Sequence, residues 1–145
     1  SETVYKGLEL IGNIDGPIII HNIDTILYNR NYNTVKSKLT DNEGFIDIFL
    51  SNNPIYSYVI IDKNKIKEIA EKILISNTAT SGMYGFSSVS LFKKYYKKGY
   101  ISDIYKNMIN ESLSITTGIR YNELNTVVLG TPDEYMNLSK IHLKV

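Results

Sequence analysis

Cysteine and tryptophan are absent from this sequence, and proline occurs only three times in 145 residues. The lack of cysteine excludes disulfides and thiolate metal sites, and it suits a reducing compartment. A charge excess is missing as well: 16 basic against 15 acidic side chains leave a formal +1. That balance gives no reason to expect nucleic acid or an anionic membrane as partner. No apolar run approaches the ~20 residues of a membrane span, and the start does not read as a signal peptide. A cytoplasmic protein is the expectation. Walker, HExxH and GxSxG motifs are absent too. The two histidines, His21 and His142, stand far apart and support no Ser-His-Asp arrangement.

What is present is the composition of an ordinary globular domain, 43% hydrophobic and 21% charged, in a chain long enough to bury a core. One domain over 1–145 is expected, without repeat or linker. Val4, Leu8 and Ile11 share one helical face, with Ser1 or Thr3 as cap. Ile18-Ile19-Ile20 is a β-branched run between turns and reads as a central strand buried on both faces. Residues 31–39 read as a weak helix or a loop. Strands are expected over 45–50 and 56–62. Lys63-Asn64 is a tight connection to a hairpin partner at 66–69.

Residues 78–86 read as a strand with Gly82 and Gly85 inside it, where glycine marks a close approach of backbone or ligand. Residues 88–98 give an amphipathic helix with Val89, Phe92 and Tyr96 inward, and Gly99 ends it. Ser102 has the type of an N-cap for the next helix, whose inward residues are Ile104, Met108 and Ile109. Two more strands are expected at 115–121 and 126–129. Thr131, Pro132 and Asp133-Glu134 make a strong start for a last helix. The result is an α/β class domain, a layered mixed β-sheet with helices.

Polar residues that follow a buried strand are where open α/β sheets carry chemistry. Asp24 has that position, and fits either a Mg2+ ligand or a turn-forming aspartate. Glu68, Glu71 and Lys72 fit either an exposed hairpin edge or a group that meets sugar hydroxyls and a phosphate. His21 stands at a strand end and reads as structural or as a site residue, and His142 as a surface residue near the terminus. Lys93, Lys94, Lys97 and Lys98 read as a solvated helix face.

Ordered stretches over nearly the whole chain resemble the sugar-phosphate nucleotidyltransferase family, in its capsule and surface-polysaccharide type. Glu2-Thr3-Val4 with Leu8 and Ile11 resembles that family's "ETV…A…L" helix. Residues 17–25 (PIIIHNIDT) resemble "PLLIANCDQ", 53–59 (NPIYSYV) "NPRYSYV", and 69–72 (IAEK) "VAEK". Residues 75–86 (ISNTATSGMYGF) resemble "ISNLATTGIYYF", 100–105 (YISDIY) "YVSPIYN", and 129–134 (LGTPDE) "LGTPED".

The resemblance implies the C-terminal part of a Rossmann-like nucleotidyltransferase fold. It implies that an NTP and a sugar 1-phosphate give an NDP-sugar and pyrophosphate, with nucleotide and sugar phosphate as partners. By the same resemblance Asp24 is the metal ligand, for Mg2+. Glu71 and Lys72 touch the sugar and its phosphate, and the Gly82 backbone borders the sugar. Two departures stand out. The family's glycine-rich loop, with its catalytic arginine and following lysine, would precede Ser1. The chain is therefore assigned no catalytic residue and is expected to be inactive alone. A second metal-binding aspartate before the "GTP" turn is replaced by Val128-Leu129. These departures leave an alternative, a non-catalytic sugar-phosphate or nucleotide-sugar binding or regulatory module. A sheet cut in this way would leave an exposed edge, so self-association into a homo-oligomer is a further expectation.

Overall fold

The computed structural model describes residues 1–136, so His142 lies outside the described residues. In chain order the elements are α1 (Glu2–Ile11), β1 (Ile18–His21), β2 (Thr25–Leu27), α2 (Tyr32–Lys38), β3 (Gly44–Leu50), β4 (Ser57–Asp62) and β5 (Lys65–Glu71). Then come β6 (Thr78–Phe86), α3 (Val89–Tyr95), α4 (Ile101–Asn110), β7 (Ile115–Tyr121), a 3-10 turn (Glu123–Asn125) and β8 (Thr126–Val128). Residues 132–136 are helical. Six strands form one mixed sheet in the order β1-β6-β3-β7-β5-β4. Among the described residues its one parallel pair is β3 with β7. The strands β2 and β8 form a separate two-stranded ribbon.

Side chains alternate across the sheet and so divide the core into layers. Ile46 and Ile48 of β3 and Tyr84 and Phe86 of β6 pack with Phe92, Ile104, Tyr105 and Met108 of α3 and α4. Val4, Tyr5 and Leu8 of α1 cover the same cluster from the rim. On the opposite face Phe45 and Met83 pack with Val35 and Leu39 of α2 and the residue after it. Tyr105 is fully buried, and its hydroxyl donates to the carbonyls of Gly85 at 2.6 Å and Phe45 at 3.1 Å. That burial pushes its phenol well above the ordinary range.

Local chemistry explains the boundaries. Lys63 and Asn64 both have positive φ, as a two-residue hairpin turn requires, and β5 follows β4 through it. Asn31 caps α2 by accepting from the amides of Asn33 and Thr34, and Ser88 caps α3 by accepting from Leu91. Thr131 and Glu134 cap residues 132–136 reciprocally: the Glu134 amide donates to Thr131 Oγ1, and the Thr131 amide to Glu134 Oε2.

Several expectations need correction. Among the described residues the strand at 18–20 lies at the edge of the sheet rather than at its centre: β1 pairs with β6, and its burial alternates instead of being full on both faces. An all-isoleucine run looks the same whether one face is covered or two. Ile11 points to solvent, because α1 rests on the core only through its earlier turns. Ser102 is no cap; Tyr100 precedes the helix, and Ser102 is buried within its first turn. Helix α3 ends at Tyr95 rather than running to 98. The strand β2 was not expected at all.

The main sheet is irregular around Asp47. Ile46 and Ile48 of β3 face Tyr84 and Thr80 of β6, and Thr117 and Arg120 of β7. Both neighbours therefore carry extra residues opposite Asp47. On β6 the excess falls at Ser81-Gly82-Met83, where Gly82 has φ +88°. Bulges of this kind bend a strand and re-aim its side chains.

Candidate active site

A cleft of about 480 Å³ opens between the main sheet and the ribbon. Asp24, Glu71, Lys72 and Gly82 all line it. His21 and Glu68 are exposed and stand outside it.

One wall belongs to β4, β5 and the start of α4. Glu71 ends β5 opposite Ser57 of β4. Its Oε2 accepts from the hydroxyls of Ser57 and, at 2.7 Å, Ser102. Among the described residues its Oε1 has no hydrogen-bond partner, so the carboxylate is fixed through one oxygen and offers the other. Lys72 follows with φ +55°, and its amide donates to the Tyr56 carbonyl at 3.1 Å. A lysine in left-handed backbone is a strained conformation, of the sort that clusters at ligand sites. Its Nζ donates to the Tyr100 hydroxyl at 3.3 Å and lies 5.2 Å from that ring's centroid. Among the described residues no carboxylate pairs with it, which leaves an uncompensated cation facing the cleft.

The floor is β6. Thr80, Ser81, Gly82 and Tyr84 line it. The Tyr84 hydroxyl pairs with Thr80 at 3.0 Å, and burial pushes its phenol up to about 12. Gly82 cannot be replaced freely: a Cβ there would meet the Asn22 side chain at 2.8–3.0 Å. Asn22 is tied to the same residue, its amide donating to the Gly82 carbonyl at 2.9 Å.

The ribbon makes the other wall. Asp24 precedes β2, and its carbonyl accepts from the Leu129 amide at 2.7 Å, closing the ribbon's end. Its Oδ1 accepts from Thr25 Oγ1 at 3.3 Å. Gly130 stands beside it: a Cβ there would fall 2.9 Å from Asp24 Oδ2 and 3.7 Å from Glu134 Oε2. Val128, on the β8 strand of the ribbon, also lines the cleft. Among the described residues no group of three or more metal-ligating side chains gathers. Glu134 is occupied by its cap and by the Tyr56 hydroxyl, which donates to Oε1 at 3.2 Å. Burial and Glu134 together push that phenol up.

Sequence reasoning missed the hydroxyls of Ser57, Thr80 and Ser102, and it missed Asn22 and Tyr100. Single small polar residues carry no local signal. Only the repeated Ser and Thr at 78–81, inside a strand otherwise destined for burial, hinted at a polar floor. Among the described residues no helix is long and apolar enough to cross a membrane.

The sequence matches no protein-family model and no curated protein. Solved structures do match. A nucleoside-diphosphate-sugar pyrophosphorylase from Vibrio cholerae RC9 is 24% identical with a TM-score of 0.79, over 96% of this chain and 64% of that one. A UDP-glucose pyrophosphorylase complexed with UDP-glucose is 17% identical with a TM-score of 0.72, over 97% and 60%. The inositol-1-phosphate CTP transferase from T. maritima is 12% identical with a TM-score of 0.70, over 96% and 61%. The chain spans about three-fifths of the length of the structures it matches. At these identities the likeness is one of fold: the chain carries a large part of the nucleotidyltransferase fold of these structures.

Proposed function

We propose that this chain is the sugar-phosphate side of a nucleotidyltransferase that joins an NTP and a sugar 1-phosphate into an NDP-sugar and pyrophosphate. One observation carries the reading. Among the described residues, a lysine without a carboxylate partner, a glutamate with one oxygen that accepts no hydrogen bond and a floor of hydroxyls share one cleft with Asp24. Glu71 Oε1 accepts a sugar hydroxyl, and Thr80 and Ser81 border the ring. Lys72 leaves Tyr100 to meet the phosphate as a point charge.

Asp24 suits Mg2+ in a limited way. It brings one carboxylate, and the remaining ligands are phosphate oxygens and water, as this ion prefers. When bound, the ion neutralises charge on the phosphates. Turnover needs a group that cradles a triphosphate, and the nine glycines of the sequence form no clustered phosphate loop.

Titration of glucose 1-phosphate by calorimetry, with and without MgCl2, tests this. Binding is expected, with affinity falling by about tenfold or more in Lys72→Ala and Glu71→Ala. No pyrophosphate release is expected from the chain with any NTP. Absence of binding under both conditions would overturn the reading. Val128 favours a second reading, a sugar-phosphate binding module without chemistry, since among the described residues neither strand of the ribbon carries an acid to join Asp24. Robust pyrophosphate release would exclude that module and show turnover without such a loop.

A further inference from the structure

We infer that Arg30 and Asp47 form a positioning pair that holds the ribbon, and with it Asp24, against the main sheet. The inference rests on the reading of Asp24 as the cation-facing residue of the cleft.

Both side chains are 2% exposed. Arg30 Nε and Nη2 donate to Asp47 Oδ2 at 3.1 and 2.9 Å. Nη1 donates to the carbonyls of Tyr28, at 2.9 Å, and Asn125, and Nη2 to Thr126 Oγ1 at 2.6 Å. The Tyr121 ring lies 3.7 Å from the guanidinium carbon. A buried ion pair is costly to desolvate, and apolar residues would fill the space as well, so stability alone does not account for it.

Its partners show what it does. Tyr28, Asn125 and Thr126 are the end of the ribbon away from Asp24, since Leu27 pairs with Thr126 and Thr25 with Val128. The ribbon has three residues per strand and, among the described residues, shares no ladder with the main sheet. At the Asp24 end the nearby backbone tie to the sheet is the bond from Asn22 to Gly82. At the other end Arg30 grips both strands at once and fastens them to β3. Asp47 sits at the bulge opposite Ser81-Gly82-Met83. Burial pushes its carboxyl up, and the Ser81 hydroxyl and Arg30 pull it back. The pair thus joins the far end of one wall to the strand that forms the floor.

The test is the double variant Arg30→Met/Asp47→Leu, which leaves no buried charge unpaired. Two readouts apply. Hydrogen exchange at the Leu129 amide, which bonds to Asp24, is expected to quicken by about tenfold while β3 and β6 amides keep their protection. In glucose 1-phosphate titrations the gain in affinity from MgCl2 is expected to vanish. The magnesium-free affinity, carried by Lys72, should stay within about twofold. A pair that is only structural would weaken both parts of binding together. Unchanged Leu129 exchange in a folded double variant overturns the proposal, and so does equal loss of both parts of binding. If the double variant does not fold, Arg30→Lys decides: it keeps the charge but not the fork. A smaller shift in both readouts supports the proposal, and none overturns it. If the parent chain binds no glucose 1-phosphate, the reading of the cleft fails, and Leu129 exchange still decides the anchoring.

Discussion

The wall that carries Glu71 and Lys72 hangs on the six-stranded sheet, whereas the wall that carries Asp24 hangs on two three-residue strands. The first is backed by Tyr84, Phe86, Phe92, Tyr105 and Met108 in one continuous cluster. The second is held by a buried ion pair and a few backbone bonds. The difference teaches that one cleft joins a side fixed by packing to a side fixed by polar contacts. Apolar packing is non-directional and adds over area, while polar anchoring is directional and fails when a single partner goes. Substitutions behind the first wall should therefore cost global stability, and those behind the second should shift geometry.

Tyr105→Ala breaks the packed side most severely. Removing a fully buried aromatic residue and its two hydrogen bonds should cost about 3–5 kcal/mol in urea unfolding. Alkaline pH attacks the same side without mutation. The Tyr84 phenol is held up to about 12 in the folded chain, against about 10 when unfolded. The unfolded chain then gives up its proton first. Stability from this residue is complete below about pH 10 and falls by about 2–3 kcal/mol on the way to 12. Unfolding midpoints against pH measure this, and tyrosinate absorbance is free of tryptophan overlap.

Gly82→Ala probes the seam between the walls. It forces a Cβ into φ +88° and onto Asn22, at a cost of about 1–3 kcal/mol. Faster exchange of the Asn22 amide should accompany it. Ser102→Ala is the mildest. Ser57 still holds Glu71, so unfolding should shift by about 1 kcal/mol. Glucose 1-phosphate binding should weaken by more than that stability change would suggest.

The sequence was most legible where the physics is local. The β4–β5 hairpin turn at Lys63-Asn64 and the Thr131 cap of the last helix both arise from neighbours within four residues. The ordered family-like stretches also placed Asp24, Glu71, Lys72 and Gly82, which the structure brings to one cleft. Arg30 and Asp47 were not legible, because they are 17 residues apart and meet only through the bulge. Asp47 read as one step in an alternating strand. A lone acid between Ile46 and Ile48 should have signalled a buried partner, since a charge in such a place needs one. The position of β1 was equally closed to inspection, for coverage of a strand depends on what packs beside it.

The unequal strand lengths around Asp47 also set a rule for insertions and deletions. Across the same span β6 spends five residues, Thr80 to Tyr84, where β3 spends three. Losing one residue of Ser81-Gly82-Met83 would not simply shorten a loop. It would shift the phase of Thr78, Ala79 and Thr80 relative to Tyr84 and Phe86 and turn each to the opposite face of the sheet. Loss of two neighbouring residues would keep the phase and erase the bulge. Related chains should therefore vary in length here by even steps, and the even-step variants should keep their core while losing the cleft floor.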